Sequence, residues 1–159
     1  VGGKVKKEEL RIQKIKCGTV IDHIAAGHAL SVLKILNITG REGYIVSIAM
    51  NVPSKKFGKK DIVKVEGREL KEEEVNKIAL IAPTATINII ENYKVIKKNR
   101  IRLPNKIEGI IKCRNPMCIT NSAREPVTPK FIVIDRKPLR LRCEYCGTIL
   151  ETEDIVKQF

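Results

Sequence analysis

Four of the five cysteines of this 159-residue chain fall late and in pairs, Cys113-x4-Cys118 and Cys143-x2-Cys146. At each of these spacings a tight turn brings two thiolates onto one ion. Two such knuckles complete a tetrahedron of soft sulfurs, the environment that structural zinc prefers. Unpaired core thiols or disulfides are the alternatives, and the paired spacing favours metal. A closed four-thiolate site keeps no open position for water, so the ion is expected to be structural. Lys112, Arg114, Arg140 and Arg142 flank the ligands and are expected to offset the excess negative charge of four thiolates on a divalent cation. Cys17 stands alone in an apolar stretch and reads as a small buried hydrophobe.

A second set of chemistry-bearing residues lies in the first hundred. "GTVIDHI" (18–24) ends a strand-like run in an adjacent acid and imidazole, Asp22 and His23. Lys60 and Lys64 fall in a later strand-like run and Lys98 beyond the last one. If the fold brings these together, the lysines suit polyphosphate as movable point charges and the carboxylate can accept hydrogen bonds from ribose hydroxyls. Taken singly, each has a plainer role: Asp22 as a helix cap, the lysines as solvated surface. His23 and His28 are the only histidines, and no Ser/Cys–His–acid set or paired carboxylates stand out, so an enzyme is not expected.

The formal charge is +13, with a pI near 9.7, which favours anionic partners. A basic zinc-ribbon protein that binds nucleic acid is therefore the alternative reading. Against it, the lysines form no single stripe and aromatics are only 4% with no Trp, too few for a surface that stacks bases. No apolar run approaches the roughly 18 residues of a membrane span, and "VGGKVKKEEL" lacks the apolar core of a secretory signal. A soluble, cytoplasmic protein is the expectation.

The elements that must position these residues alternate in type. Residues 10–20 read as a strand, and 24–38 as a helix with Ala26, Ala29, Leu30, Leu33 and Leu36 on one face and Gly40 as its stop. Residues 44–52 read as a strand with Val46, Ile48, Met50 and Val52 on one side. A basic turn over 53–60 leads to a strand over 61–67. Residues 70–82 repeat Val75, Ile78, Ala79 and Ala82 at helical spacing, with Glu72, Glu73 and Glu74 at the positive end of the helix dipole. Residues 86–96 form a last strand with a break near Glu91–Asn92. The order β-α-β-β-α-β is the ferredoxin-like arrangement, with helices on one face and the other face free. Residues 97–106 are basic, aperiodic and carry Pro104, as a linker would. Residues 107–159 hold short strand-like runs, and a segment of about 50 residues needs a staple beyond its own core. The expected architecture is α+β: a β-α-β-β-α-β domain over 1–100, then a small antiparallel β zinc-binding domain over 101–159.

"GTVIDHI", "NVPSKKFGKKDIVKVEG", "IALIAPTATINIIENYKV" and the C-x4-C…C-x2-C pattern of "CRNPMCITN…EPV…LRCEYCG" together resemble the regulatory chain of aspartate carbamoyltransferase. The resemblance spans most of residues 10–150 in order. It implies a non-catalytic subunit with an N-terminal allosteric domain that pairs with a second regulatory chain. It also implies a C-terminal zinc domain that docks on the catalytic chain, and control of pyrimidine biosynthesis by the nucleoside triphosphates ATP, CTP and UTP. By their place in these motifs, Asp22, His23, Lys60, Lys64, Asn88, Val95 and Lys98 would line the effector site, with Ile12, Gln13 and Ile15 bordering the base.

Overall fold

A computed structural model describes residues 13–159. Strand β1 (Gly18–Ala25) leads to helix α1 (Ala29–Ile35), the hairpin β2 (Val46–Ser54) and β3 (Gly58–Glu66), helix α2 (Glu72–Ile81), and the hairpin β4 (Thr86–Glu91) and β5 (Lys94–Arg100). These five strands form one sheet in the order β2-β3-β1-β4-β5, with every pairing antiparallel. A second sheet takes β6 (Lys106–Glu108), β7 (Lys130–Arg136), β8 (Leu139–Cys143) and β9 (Ile149–Glu151) in sequence order, and helix α3 (Thr152–Val156) follows it. The expected α+β class and β-α-β-β-α-β order are found, with β5 added at one edge.

Strand alternation splits the first sheet into two faces. Ile21, Ile24, Val63, Val65 and Ile87 point towards the helices and join Val32, Leu36, Ile78 and Ile81 in the core. The opposite face carries a small apolar group of Ile15, Val20 and Ile90, with Ile62 packed on it. The main core continues without a break into the second sheet through Ile101, Leu103, Phe131, Leu141 and Ile155.

Several boundaries differ from expectation for identifiable reasons. The first strand starts at Gly18, not within 10–17, and runs on through Asp22 and His23 to Ala25 because it is paired on both sides by β3 and β4. Helix α1 is correspondingly short. It ends at Ile35: Asn37 takes the left-handed conformation (φ 54°), and the Ile38 N–H donates back to the Leu33 carbonyl at 3.0 Å, closing the helix well before Gly40. Its buried face is Ala29, Val32, Ile35 and Leu36; Ala26 and Leu30 are exposed. In β2, Val46 and Ile48 lie opposite the core residues Val65 and Val63, but a bulge between Ala49 and Val52 turns Val52 to the other face, opposite Lys60. The strand expected over 86–96 is two strands, because Asn92 and Tyr93 both have positive φ (48° and 63°), the geometry of a tight hairpin turn. The expected linker is shorter than 97–106, since β5 runs to Arg100 and β6 begins at Lys106. The basic turn is likewise narrowed to 55–57, between the ends of β2 and β3. Cys17 is exposed rather than buried, lying just before β1.

Gly18 begins β1 at φ 137°, and a Cβ there would meet the Val65 carbonyl oxygen at 2.1 Å. Both the backbone conformation and the space exclude a side chain. Gly18→Ala should therefore push β1 off β3 and destabilise the chain by about 2 kcal/mol or more in urea unfolding. Unchanged stability would show that the β1–β3 register at Gly18–Glu66 is wrong.

Candidate functional site

Two sites emerge, one on each sheet. On the helix-free face of the first, pairing register lines up Lys64, Val20, Asn88 and Lys98 in one row across β3, β1, β4 and β5. Directly opposed residues project to the same side, so these four side chains share that face. A step along β1, Asp22 lies opposite Thr86 and its carboxylate pairs with the Lys60 ammonium at 2.9 Å. Val95 is exposed and opposite Ile90, on the same face. Ile15 packs beside Val20 and Ile90, and the Gln13 carbonyl accepts a hydrogen bond from the Lys64 ammonium at 3.1 Å. Ile12 lies outside the described residues.

Asp22 is not a helix cap. Helix α1 starts five residues beyond the end of GTVIDHI, and His28, at its N-cap, makes no side-chain capping bond. The Asp22 carboxylate instead accepts the His23 backbone N–H at 2.6 Å and holds Lys60. His23 sits in a bulge with φ 56°; its Nδ1 is 3.1 Å from the Thr86 hydroxyl, its carbonyl accepts the Thr84 hydroxyl at 2.9 Å, and its ring meets Phe57 edge-on. Burial lowers the His23 pKa; Asp22 opposes the shift, and Lys60, Lys56 and Lys98 reinforce it. Lys98 thus acts on the same imidazole as Lys60 and Lys56, although no sequence segment joins them. Burial also lowers the Lys64 pKa, with Asp22 opposing.

Asn88 Oδ1 is buried in this row and has no hydrogen-bond partner among the described residues. An orphaned buried acceptor of this kind costs on the order of 1–3 kcal/mol, and a ligand donor on this face would remove the cost.

The second site gathers the four paired cysteines. Cys113 Sγ is 3.6 Å from Cys146 Sγ, Cys118 Sγ is 3.7 Å from Cys143 Sγ, and all four sulfurs lie within 4.8 Å of one another. Disulfides, at about 2.05 Å, are excluded. Metal–sulfur bonds of about 2.3 Å in a tetrahedron place sulfurs about 3.8 Å apart, so the residues present fit one closed metal site. The Thr120 and Thr148 hydroxyls lie 3.1 Å from Cys118 and Cys146 Sγ. Without a cation the site is divided against itself: burial pushes the Cys113 thiol up to about 12 and also raises Cys143, while the Thr148 hydroxyl holds Cys146 down at about 6. The flanking arginines are less free than expected, since Arg114 donates to the Ile149 carbonyl at 2.9 Å and pairs with Asp154, and Arg140 faces Glu151.

Reading the sequence alone missed Asp61, Thr84 and Thr86. Asp61 carried a signal, because "DIVKV" alternates strictly and places it on the buried side with Val63 and Val65. The two threonines offered none, as their roles depend on which strands neighbour β1.

Residues 10–102 match the family model described as the allosteric domain of the aspartate carbamoyltransferase regulatory chain, and residues 105–156 match that of its metal binding domain. These two matches define the class, a non-catalytic regulatory subunit with an allosteric domain followed by a metal-binding domain. A regulatory chain of aspartate carbamoyltransferase from Korarchaeum cryptofilum is 60% identical over 152 residues, spanning 96% of this chain and 97% of that protein. Those from Hyperthermus butylicus and Pyrococcus furiosus are each 58% identical over 149 residues, spanning 94% and 93% of this chain and 93% and 97% of theirs. The chain belongs to the family of aspartate carbamoyltransferase regulatory chains. Its partner is accordingly a catalytic chain, and it serves pyrimidine biosynthesis.

Metal removal should abolish amide-exchange protection across Lys130–Arg136 and Leu139–Cys143, because a structural site of this kind supplies on the order of 10–16 kcal/mol. Protection that survives verified metal loss would contradict a structural role for the site.

Proposed function

We propose that the helix-free face of the first sheet binds the nucleoside triphosphates CTP, ATP and UTP, and that their binding sets the activity of the catalytic chain. Lys60, Lys64 and Lys98 would receive the phosphates, Asp22 the ribose hydroxyls, and Asn88 a donor of the ligand. Gln13, Ile15 and Val95 would border the base, together with Ile12. The observation that carries this reading is the buried Asn88 Oδ1, unpartnered among the described residues, in a row with Lys64 and Lys98. The four sulfurs would hold one zinc ion, preferred by closed four-thiolate tetrahedra. Two regulatory chains would pair through their allosteric domains (1–100), leaving the zinc domains (101–159) to dock on catalytic chains in the cytoplasm.

A nucleotide shifts an equilibrium between two states only by its differential affinity for them. In this reading the phosphates draw Lys60 and Lys98 together, change packing across the regulatory pair, and act on the zinc domain through the seam near 97–112.

Lys98→Ala should weaken CTP binding by about 10-fold, the scale of one lost charge-assisted contact, with metal content unchanged. Equal affinity by titration calorimetry would remove Lys98 from the site. A second prediction concerns pH. His23 has a lowered pKa in the free chain, and a triphosphate placed beside it raises that pKa. The complex then binds more protons than the free chain, so affinity should rise as pH falls through the neutral to mildly acidic range. His23→Asn should flatten the part of this dependence that the nucleotide's own phosphates do not supply; an identical pH profile would place the phosphates away from His23.

A further inference from the structure

Asp61 is fully buried on the helix side of β3, immediately behind Lys60, and no lysine or arginine pairs with it among the described residues. Its Oδ2 accepts the backbone N–H groups of Gly27 and Ala29 at 2.9 and 3.0 Å, and its Oδ1 accepts that of Asn51 at 2.9 Å. A carboxylate in such a place carries a desolvation cost that a valine, continuing the alternation of Val63 and Val65, would avoid.

What it holds is a double irregularity. Opposite β3, the β1 register jumps from Ile21↔Val63 to Ile24↔Asp61, and the β2 register jumps from Ala49↔Ile62 to Val52↔Lys60. Each neighbour therefore carries one surplus residue, opposite the adjacent positions Ile62 and Asp61, and each bulge contains a non-glycine residue in the left-handed region, His23 (φ 56°) and Asn51 (φ 59°). Such conformations persist only where surrounding contacts fix them. Asp61 ties both flanks together, gripping the chain just after β1 through Gly27 and Ala29, and the β2 bulge through Asn51.

The β1 bulge decides which side chains face the nucleotide. In an unbroken register Lys60 would lie opposite Ile24, placing an isoleucine on the open face and turning His23 inward towards Asp61. A one-residue slip exchanges the faces of a strand. The bulge sends Ile24 into the core and leaves Asp22 beside Lys60.

We infer that Asp61 is a positioning residue for effector binding: from the far side of the sheet it fixes the two bulges between which Asp22, His23 and Lys60 are presented. The inference rests on the nucleotide-binding reading of the open face. It is tested in the full, metal-replete chain with CTP as the probe. In Asp61→Asn the amide nitrogen cannot accept an N–H, so one of the two flanks is released whichever way the amide points.

Asp61→Asn should keep its metal and its stoichiometry per folded chain while its Kd for CTP rises by about 10-fold or more. Lys60→Ala should then cost much less affinity in the Asp61→Asn background than in the wild type, a non-additivity that a merely structural residue would not produce. Should Asp61→Asn fail to fold, amide exchange in the wild type decides. CTP should slow the Gly27, Ala29 and Asn51 amides together, and unchanged exchange would overturn the inference. Wild-type CTP affinity in Asp61→Asn, or an equal cost of Lys60→Ala in both backgrounds, would overturn it while leaving the nucleotide site standing. Failure of the wild-type chain to bind CTP would overturn both.

Discussion

Four sulfurs held within 4.8 Å of one another form the constraint on which the second half of the molecule depends. Their protons cannot be shared out evenly, because burial and mutual repulsion drive the Cys113 and Cys143 thiols one way while Thr148 draws Cys146 the other. A bound metal ion would replace those protons and close two distant knuckles into one unit. The β6–β9 sheet has two three-residue edge strands, too short to organise themselves. Because the core runs unbroken from Ile78 and Ile81 to Phe131 and Ile155, a rigid second sheet also gives the first a fixed surface to pack on.

The first sheet follows a different logic. Its centre, β1, is paired on both sides, yet it is bulged where an uninterrupted strand would be most regular. The helix face satisfies the core, and the opposite face carries cations, an acid–lysine pair and an amide oxygen unpartnered among the described residues in place of a second full apolar layer. In the proposed reading such a sheet gives up local stability to expose a recognition surface, and the shared core connects that face to the metal domain.

Much of this was legible in the residues, and what was not has physical causes. Knuckle spacing is local, so the cysteine cluster could be read directly from Cys113 to Cys146. The element order was also readable, because periodicity in 70–82 and in 61–67 is clear. Helix α1 was misplaced because "IAAGHA" is apolar enough to pass for helix, while strand pairing keeps residues to Ala25 in the sheet. In the inference above the bulges at His23 and Asn51 depend on Asp61, which is distant in sequence from the first, so no short window on the sequence contains both bulges and their cause. The Lys64–Asn88–Lys98 row likewise exists only once strand order is known; the resemblance to the family, not periodicity, brought Asn88 and Val95 into the set.

We propose that this chain performs no chemistry and converts nucleotide binding into a change in its catalytic partner's activity. The most direct measurement is carbamoyl transfer by the catalytic subunits, alone and assembled with this chain, while CTP, ATP and UTP are titrated in turn. The account predicts that nucleotides alter the aspartate saturation curve only in the assembled complex. An equal response, or none, with and without this chain would contradict it.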